Sequence, residues 1–255
     1  MESFTYRQRQ ILAIAKETGR VDVDQLSTRF EVSPQTIRKD LNDLCDRQLL
    51  QRIHGGAIVG SGIENVSYEA RRILAPEAKQ AIGLRAAQLI PNNCSLIINI
   101  GTTTEQVAHA LKSHRGMMVI SNNINAIEIL KHSDGIELII TGGLVRRSDG
   151  GIVGDAAVDF INQFKADYAV IGVSAIEEEG SLLDYDMREV RVAKAIIANA
   201  RHVILVADHM KLSRTATVRL GHISQVNTLV TDEPLPPRLR KICQEHEVAV
   251  ELASP

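Results

Sequence analysis

The sequence predicts an α/β protein in two parts, an N-terminal winged helix-turn-helix over residues 1–57 and a C-terminal, mostly parallel α/β domain over residues 76–255. Three observations carry this. A capped amphipathic helix, preceded by a shorter one, stands near the N-terminus. From residue 76 onward, short apolar runs alternate with helical segments, the pattern of βαβ units whose sheet is covered on both faces. Loops rich in Gly, Thr and Asn recur where those apolar runs end.

Residues 6–18 carry Ile11, Leu12 and Ile14 among Gln and Arg and read as a first helix ending near Gly19. In 23–30, Val23, Leu26 and Phe30 share a face of a second, short helix, and Glu31-Val32-Ser33 forms a tight turn. Ser33 can cap the next helix, and Pro34 takes its first position, where a missing N–H costs nothing. Ile37, Leu41 and Leu44 then recur at i, i+4, i+7 as an apolar stripe. Gln35, Thr36, Arg38, Lys39 and Asn42 project from other faces. Those side chains can reach phosphates and base edges. Alone, the stretch reads better as an amphipathic surface helix. Its helix-turn-helix spacing favours a recognition helix for the major groove. Leu49 to Ala57 suits two short strands joined by a tight Gly55-Gly56 turn, a wing that brings Arg52 and His54 near a DNA backbone.

Charge limits how such a head could work. Residues 1–57 hold nine Lys and Arg against eight Asp and Glu, and the whole chain has 29 against 31. Non-specific attraction to DNA should be weak, so useful affinity needs two or more heads on one operator, in a homodimer or homotetramer. Other classes find little support. No apolar run approaches the ~18 residues of a membrane span, and the N-terminus lacks the basic-then-apolar order of a signal peptide, so a cytoplasmic location is expected. Cys45, Cys94 and Cys243 are odd in number and scattered, which fits idle thiols in a reducing compartment. The eight His show no metal-ligand spacing, and neither a metal nor a cofactor is expected.

Residues 58–75 read as a linker, broken by Gly60, Ser61 and Gly62. Beyond it, strands are expected at 95–99, 117–121, 136–141, 168–173, 202–207, 226–231 and 248–252. Helices are expected at 76–90, 103–111, 125–130, 155–164, 186–200 and 237–246. Ligands of such sheets sit at the carboxyl ends of the strands, and the residues there are informative. Asn99-Ile100-Gly101-Thr102-Thr103 follows the first strand, and its glycine, hydroxyls and helix N-terminal amides make a nest for an anion, most plausibly phosphate. Asn122-Asn123 follows the second strand, and Thr141-Gly142-Gly143 the third, leading to Arg146. Asp208-His209-Met210-Lys211 follows the fifth. Each fragment is commonplace alone, but their shared position describes a site for a small phosphorylated polyol or sugar.

Ser33-Pro34-x-Thr36-Ile37-Arg38-x-Asp40-Leu41 with His54-Gly55-Gly56-Ala57 resembles the N-terminal signature of the DeoR family of bacterial transcription regulators. The Ile100-Gly101-Thr102-Thr103, Asn122-Asn123, Gly142-Gly143 and Asp208-x-x-Lys211 elements are similar to that family's C-terminal sensor. The resemblance spans almost the whole chain. It implies a sensor related in fold to ribose-5-phosphate isomerases, and a repressor released from its operators by a phosphorylated small molecule. Glu105-x-Val107-Ala108-His109-Ala110-Leu111 and Asp149-Gly150-Gly151-Ile152-x-Gly154 point to the members answering to glycerol 3-phosphate, as do Asp159-Phe160-Ile161-x-Gln163-Phe164 and Asn199-Ala200-Arg201-His202-Val203. One departure is Asn99, where the family commonly has Asp; the exchange removes a negative charge beside the anion site and adds a donor. A different sugar phosphate is the alternative inducer. A more distant alternative is a sugar-phosphate isomerase or hydrolase using Asp184, Glu189, Asp208 and Lys211. Its competing reading pairs Glu189 with Arg188 or Arg191 and makes Asp208 an orienter of Lys211.

Overall fold

The computed structural model describes residues 4–18, 20–47, 49–53, 55–58 and 67–253. They divide into two compact units, Met1–Leu74 and Ala75–Pro255. The first holds α1 (Tyr6–Thr18), β1 (Arg20–Asp22), α2 (Val23–Phe30), α3 (Pro34–Asp46), β2 (Gln51–Ile53), β3 (Gly56–Ile58) and α4 (Tyr68–Ile73). The three helices expected from apolar spacing are present, and Ile11, Val23, Leu26, Ile37, Leu41 and Leu44 meet in one core with Leu49 and Leu50.

The wing gains a strand that the sequence did not announce. β1 joins β2 and β3 in an antiparallel sheet of order β1-β3-β2; three residues are too few to show alternation. This explains the paired glycines. Gly55 turns the chain with φ +80, and its carbonyl accepts from the Val23 amide at 2.9 Å. Gly56 lies so close to β1 that any Cβ would collide with the Val21 carbonyl oxygen. His54 and residues 59–66 of the expected linker lie outside the described residues. The described ends of that 58–75 stretch carry the last residue of β3 and helix α4.

The second unit runs α5 (Pro76–Gln88), β4 (Ser95–Ile98), α6 (Thr102–Ala110), β5 (Met117–Ser121), α7 (Ile124–Leu130), β6 (Ile136–Ile140), β7 (Leu144–Arg146), β8 (Gly151–Val153), α8 (Asp155–Ile161), β9 (Ala166–Ile171), β10 (Ala175–Ile176), β11 (Ser181–Asp184), α9 (Met187–Ala198), β12 (Ala200–Val206), β13 (Val218–His222), β14 (Thr228–Thr231), α10 (Pro237–Glu245) and β15 (Ala249–Leu252). The seven expected strands form one parallel sheet of order β15-β14-β12-β9-β4-β5-β6. Alternate residues feed two cores. Leu96 and Ile98 pack with Ala86, Val107 and Leu130 of α5, α6 and α7. Ile97 packs with Ile161, Ala193 and Leu239 of α8, α9 and α10. Two small antiparallel additions were not expected: the β7-β8 hairpin and a sheet of order β10-β11-β13. Their strands are short and interrupted by glycine-bearing turns, so no periodicity marks them. Among the described residues, no helix is long and apolar enough to cross a membrane.

From β4 the chain winds outward through β5 to β6, and from β9, on the other side of β4, through β12 and β14 to β15. The direction of winding switches between β4 and β9, and the crevice such a switch opens lies at the strands' carboxyl ends.

Gly56→Ala should cost the N-terminal unit about 1–3 kcal/mol, because the added methyl meets backbone rather than a movable side chain. Thermal unfolding of the variant showing no loss would refute this account of the wing.

Candidate functional site: a helix face and a sheet edge

Helix α3 begins as its sequence dictates. The Ser33 hydroxyl accepts from the Thr36 amide at 3.2 Å and lies 2.9 Å from the Thr36 hydroxyl. These two expected DNA contacts are thus also the device that starts the helix. Ile37, Asp40, Leu41 and Leu44 are buried. Asp40 is held by Arg7 of α1, and Asp43 accepts from Gln8 at 3.3 Å. Gln35, Arg38, Lys39 and Asn42 are all exposed. Spaced i, i+3, i+4, i+7, they form one stripe about 10 Å long opposite the core. Arg52 is exposed on the wing and donates to the Gly56 carbonyl at 3.2 Å across the turn.

The second candidate site is the carboxyl edge of the parallel sheet. Gly101, with φ +152, is the N-cap of α6. The Thr104 hydroxyl donates to the carbonyls of Asn99 at 2.7 Å and Gly101 at 2.8 Å, fixing the loop. Thr102 and Thr103, both nearly buried, form the first turn, where helix amides have no intrahelical acceptor. The β7-β8 hairpin closes over this loop: Gly151 packs against the Ile100 side chain and bridges to Asn123. Gly172, after β9, lies beside Ile100 and Thr104.

Four buried side-chain oxygens at this edge find no hydrogen-bond partner among the described residues: Asn99 Oδ1, Asn122 Oδ1, Thr141 Oγ1 and Thr231 Oγ1. They stand at the carboxyl ends of β4, β5, β6 and β14. An unmet buried acceptor costs about 1–3 kcal/mol, so such a cluster marks a place built for something other than stability.

The remaining expected site residues divide. Asn123 is fully occupied: its oxygen accepts from the Asn125 amide at 2.9 Å and its nitrogen donates to Glu105 at 3.3 Å. Gly142 has open space where a Cβ would stand. Asp208 caps the turn His209–Ser213 by accepting from the Met210 amide at 3.2 Å. Lys211 is half-buried on that turn, which follows β12, two strand positions or about 10 Å from β4. His209, Asp232 and Glu233 could each bring one metal-ligand atom within 4.8 Å of the others, but Asp232 already accepts from the His209 ring and amide.

Arg146 differs most from expectation. Instead of offering its charge to a ligand, it is taken up by three carboxylates. It donates twice to Asp149, at 2.9 and 2.6 Å, to Glu189 at 2.6 Å and to Asp186 at 3.1 Å. Glu189 therefore faces Arg146 rather than Arg188 or Arg191; Arg191 pairs with Asp155. Burial opposes the Arg146 charge, but the bonds to Asp149 and the charge of Glu189 more than compensate and hold the guanidinium above its ordinary value. Burial likewise opposes the Asp186 charge, yet bonds from Arg188 and Arg146 win and hold its carboxyl down at about 2. The network continues through Asn125, which donates to the Asp149 carbonyl at 2.9 Å and to Glu105 at 3.0 Å. The sequence showed Glu105 and Asp149 only as parts of a family pattern; their partners come from strands and helices far along the chain.

The family model of the DeoR-like helix-turn-helix domain matches residues 7–61, and that of the DeoR C terminal sensor domain matches residues 74–233. The chain is 42% identical over 248 residues to the glycerol-3-phosphate regulon repressor of Escherichia coli, covering 97% of this chain and 98% of that protein. It is 44% identical to the protein of that name in Haemophilus influenzae, covering 89% of each. It is 38% identical to the HTH-type transcriptional repressor CsqR of Escherichia coli, covering 96% of this chain and 94% of that one. Among solved structures, ribose 5-phosphate isomerase A from Neisseria gonorrhoeae is similar at a TM-score of 0.39 and 15% identity, covering 56% of this chain and 54% of that one.

Arg146→Ala strands three carboxylates around a largely buried position and should destabilise the second unit by about 3 kcal/mol; a residue held out for a ligand would cost little. Equilibrium urea unfolding decides between them. Asp186 supplies stability that is complete above about pH 4, its ordinary range, and is lost as pH falls towards 2. Asp186→Asn, which can still cap α9, should flatten that loss by about 1 kcal/mol once solvent screening is allowed for, as read from urea midpoints at pH 5, 4 and 3.

Proposed function

The chain belongs to the DeoR family, and we propose that it is a transcriptional repressor of a carbon-utilisation regulon, released from operator DNA by a small phosphorylated polyol, glycerol 3-phosphate first. The observation that carries the ligand half is the set of buried, unpaired oxygens beside the N-terminus of α6. A helix N-terminus with free first-turn amides suits a phosphate, and the neighbouring oxygens supply polar contacts for the rest of a small ligand. Gly101, Thr102 and Thr103 hold the phosphate, with Lys211 adding charge; Asn99, Asn122 and Gly142 line the remainder. Asn123 and Asp208 shape the loops, and Arg146 clamps the hairpin that covers them.

The DNA half rests on the exposed stripe of α3. Gln35, Arg38, Lys39 and Asn42 enter the major groove, Ser33 and Thr36 lie at the helix start nearest the phosphates, and Arg52 and His54 of the wing meet the backbone. The near-neutral head needs company, so operator binding requires a homodimer or homotetramer assembled outside the head. Domain roles follow as 1–57 for DNA, 58–75 as connection and 76–255 as sensor, in a cytoplasmic protein. Release needs only that ligand bind better to a state whose heads mismatch the operator spacing. The acids weighed for a catalytic role have other partners: Asp184 accepts from Ser174 and the Tyr185 amide, Glu189 faces Arg146 and Asp208 caps its turn.

Glycerol 3-phosphate at ~100 times its dissociation constant should stabilise the protein by about 2.7 kcal/mol in a thermal shift, and glycerol should not. Arg38→Ala should weaken operator binding by about tenfold or more while leaving that thermal shift intact. Unchanged operator affinity would remove α3 from the reading.

A further inference from the structure

We propose that Asn99, Asn122 and Thr141 form a polar row, with Asn122 Oδ1 as its obligate acceptor, that reads the free hydroxyls of the ligand, so that the site selects a phosphorylated polyol and rejects phosphates that lack hydroxyls or carry a carboxylate. This rests on the phosphate reading above and adds to it what the other end of the ligand must be.

The row follows from register. In the parallel ladder Ile98 is opposite Ser121, and Ser121 is opposite Ile140. The next residues are Asn99, Asn122 and Thr141, one on each of three adjacent strands spaced about 4.8 Å apart. Each is almost wholly buried and each bears an oxygen without a partner among the described residues. They stand two residues beyond Ile97, Ile120 and Ile139, which face the side of the sheet covered by α8 and α9. The bond from Asn122 Nδ2 to the Ile152 carbonyl in β8, at 3.1 Å, agrees with that direction.

That bond also fixes which atom is left over. Turning the Asn122 amide round would set its oxygen against a carbonyl oxygen, so Nδ2 must face Ile152 and Oδ1 must be the spare atom. The Ile152 amide, donating to the Asn122 carbonyl at 2.7 Å, holds the residue from the other side. A spare Oδ1 accepts and cannot donate. Ionised phosphate oxygens also only accept, so phosphate cannot satisfy it, and a carboxylate would be repelled. A hydroxyl can satisfy it. The donors that phosphate needs lie two residues past Asn99, where α6 begins at Gly101. The edge therefore offers donors where α6 begins and an obligate acceptor at Asn122, beside the Thr141 hydroxyl and the Asn99 amide, which can accept or donate; that polarity suits a molecule with phosphate at one end and hydroxyls at the other.

Isothermal titration of the full-length protein with three probes tests this: glycerol 3-phosphate, n-propyl phosphate and 2-phosphoglycolate. A site built to bond hydroxyls rejects analogues lacking them strongly, so glycerol 3-phosphate should bind at least about a hundredfold more tightly than propyl phosphate, and phosphoglycolate should bind no better than propyl phosphate. Asn122→Ala and Thr141→Val should each shrink the preference for glycerol 3-phosphate over propyl phosphate about tenfold. If these residues served only the fold, both affinities would fall together and the ratio would hold, which overturns the proposal. Equal binding of propyl phosphate and glycerol 3-phosphate by the unaltered protein also overturns it, with the phosphate nest intact. Binding of no phosphate at all removes the nest and this proposal with it. Should Asn122→Ala fail to fold, Thr141→Val and the unaltered protein still decide.

Discussion

The second unit is organised around the confinement of β4. Leu96, Ile97 and Ile98 are fully buried between helices on both faces, and the strand is paired along both edges. The buried stretch of such a strand is apolar, so polar groups gather at its ends. At its carboxyl end the Asn99 amide donates to the Val170 carbonyl, the Ser121 hydroxyl to the Ile98 carbonyl and the Thr104 hydroxyl to the Asn99 and Gly101 carbonyls. These bonds settle the backbone. The side chains of Asn99 and Asn122 are brought to the same place with acceptors to spare, and the start of α6 adds donors. Polar chemistry at the edge is the counterpart of having none in the core.

The two units divide electrostatic work unequally. In the head, charges nearly cancel, and Asp40 and Asp43 of α3 are turned inward to hold Arg7 and Gln8, leaving the outward stripe polar and basic. In the sensor, a single guanidinium gathers carboxylates from the hairpin and from α9. On the proposed reading this is economical: a head with little phosphate attraction of its own depends on how copies are placed, and placement is what a ligand-binding domain can alter.

Most of the framework was legible in the sequence. The helices of the head coincide with their apolar periodicity, because each buries one stripe, and α3 adds the local start signal Ser33-Pro34. The seven strands of the large sheet were visible as apolar runs because a strand covered on both faces must be apolar throughout. What was hidden was non-local or short. β1 pairs with β3 and β13 with β11, partners distant in sequence, while the β7-β8 and β10-β11 hairpins are too short to show a period. The site was legible by position, since Asn99, Gly101 and Asn122 end strands. It was not legible by role: only the fold reveals that Asn123 is spent on Asn125 and Glu105, that Arg146 is spent on carboxylates, and that Thr141 is left with an unmet hydroxyl.

The Arg146 cluster has a consequence for how this sequence can change over time. One cation serves Asp149, Asp186 and Glu189, and Asp149 is tied onward through Asn125 to Glu105. Losing the cation leaves several acids facing one another, whereas losing one acid first relieves crowding around a guanidinium that keeps two others. The order of substitution therefore matters, and the effects of changes here do not add. Such a cluster is a source of epistasis: its members drift as a set, acids before arginine, and an exchange acceptable in one descendant is barred in another that has kept all three acids.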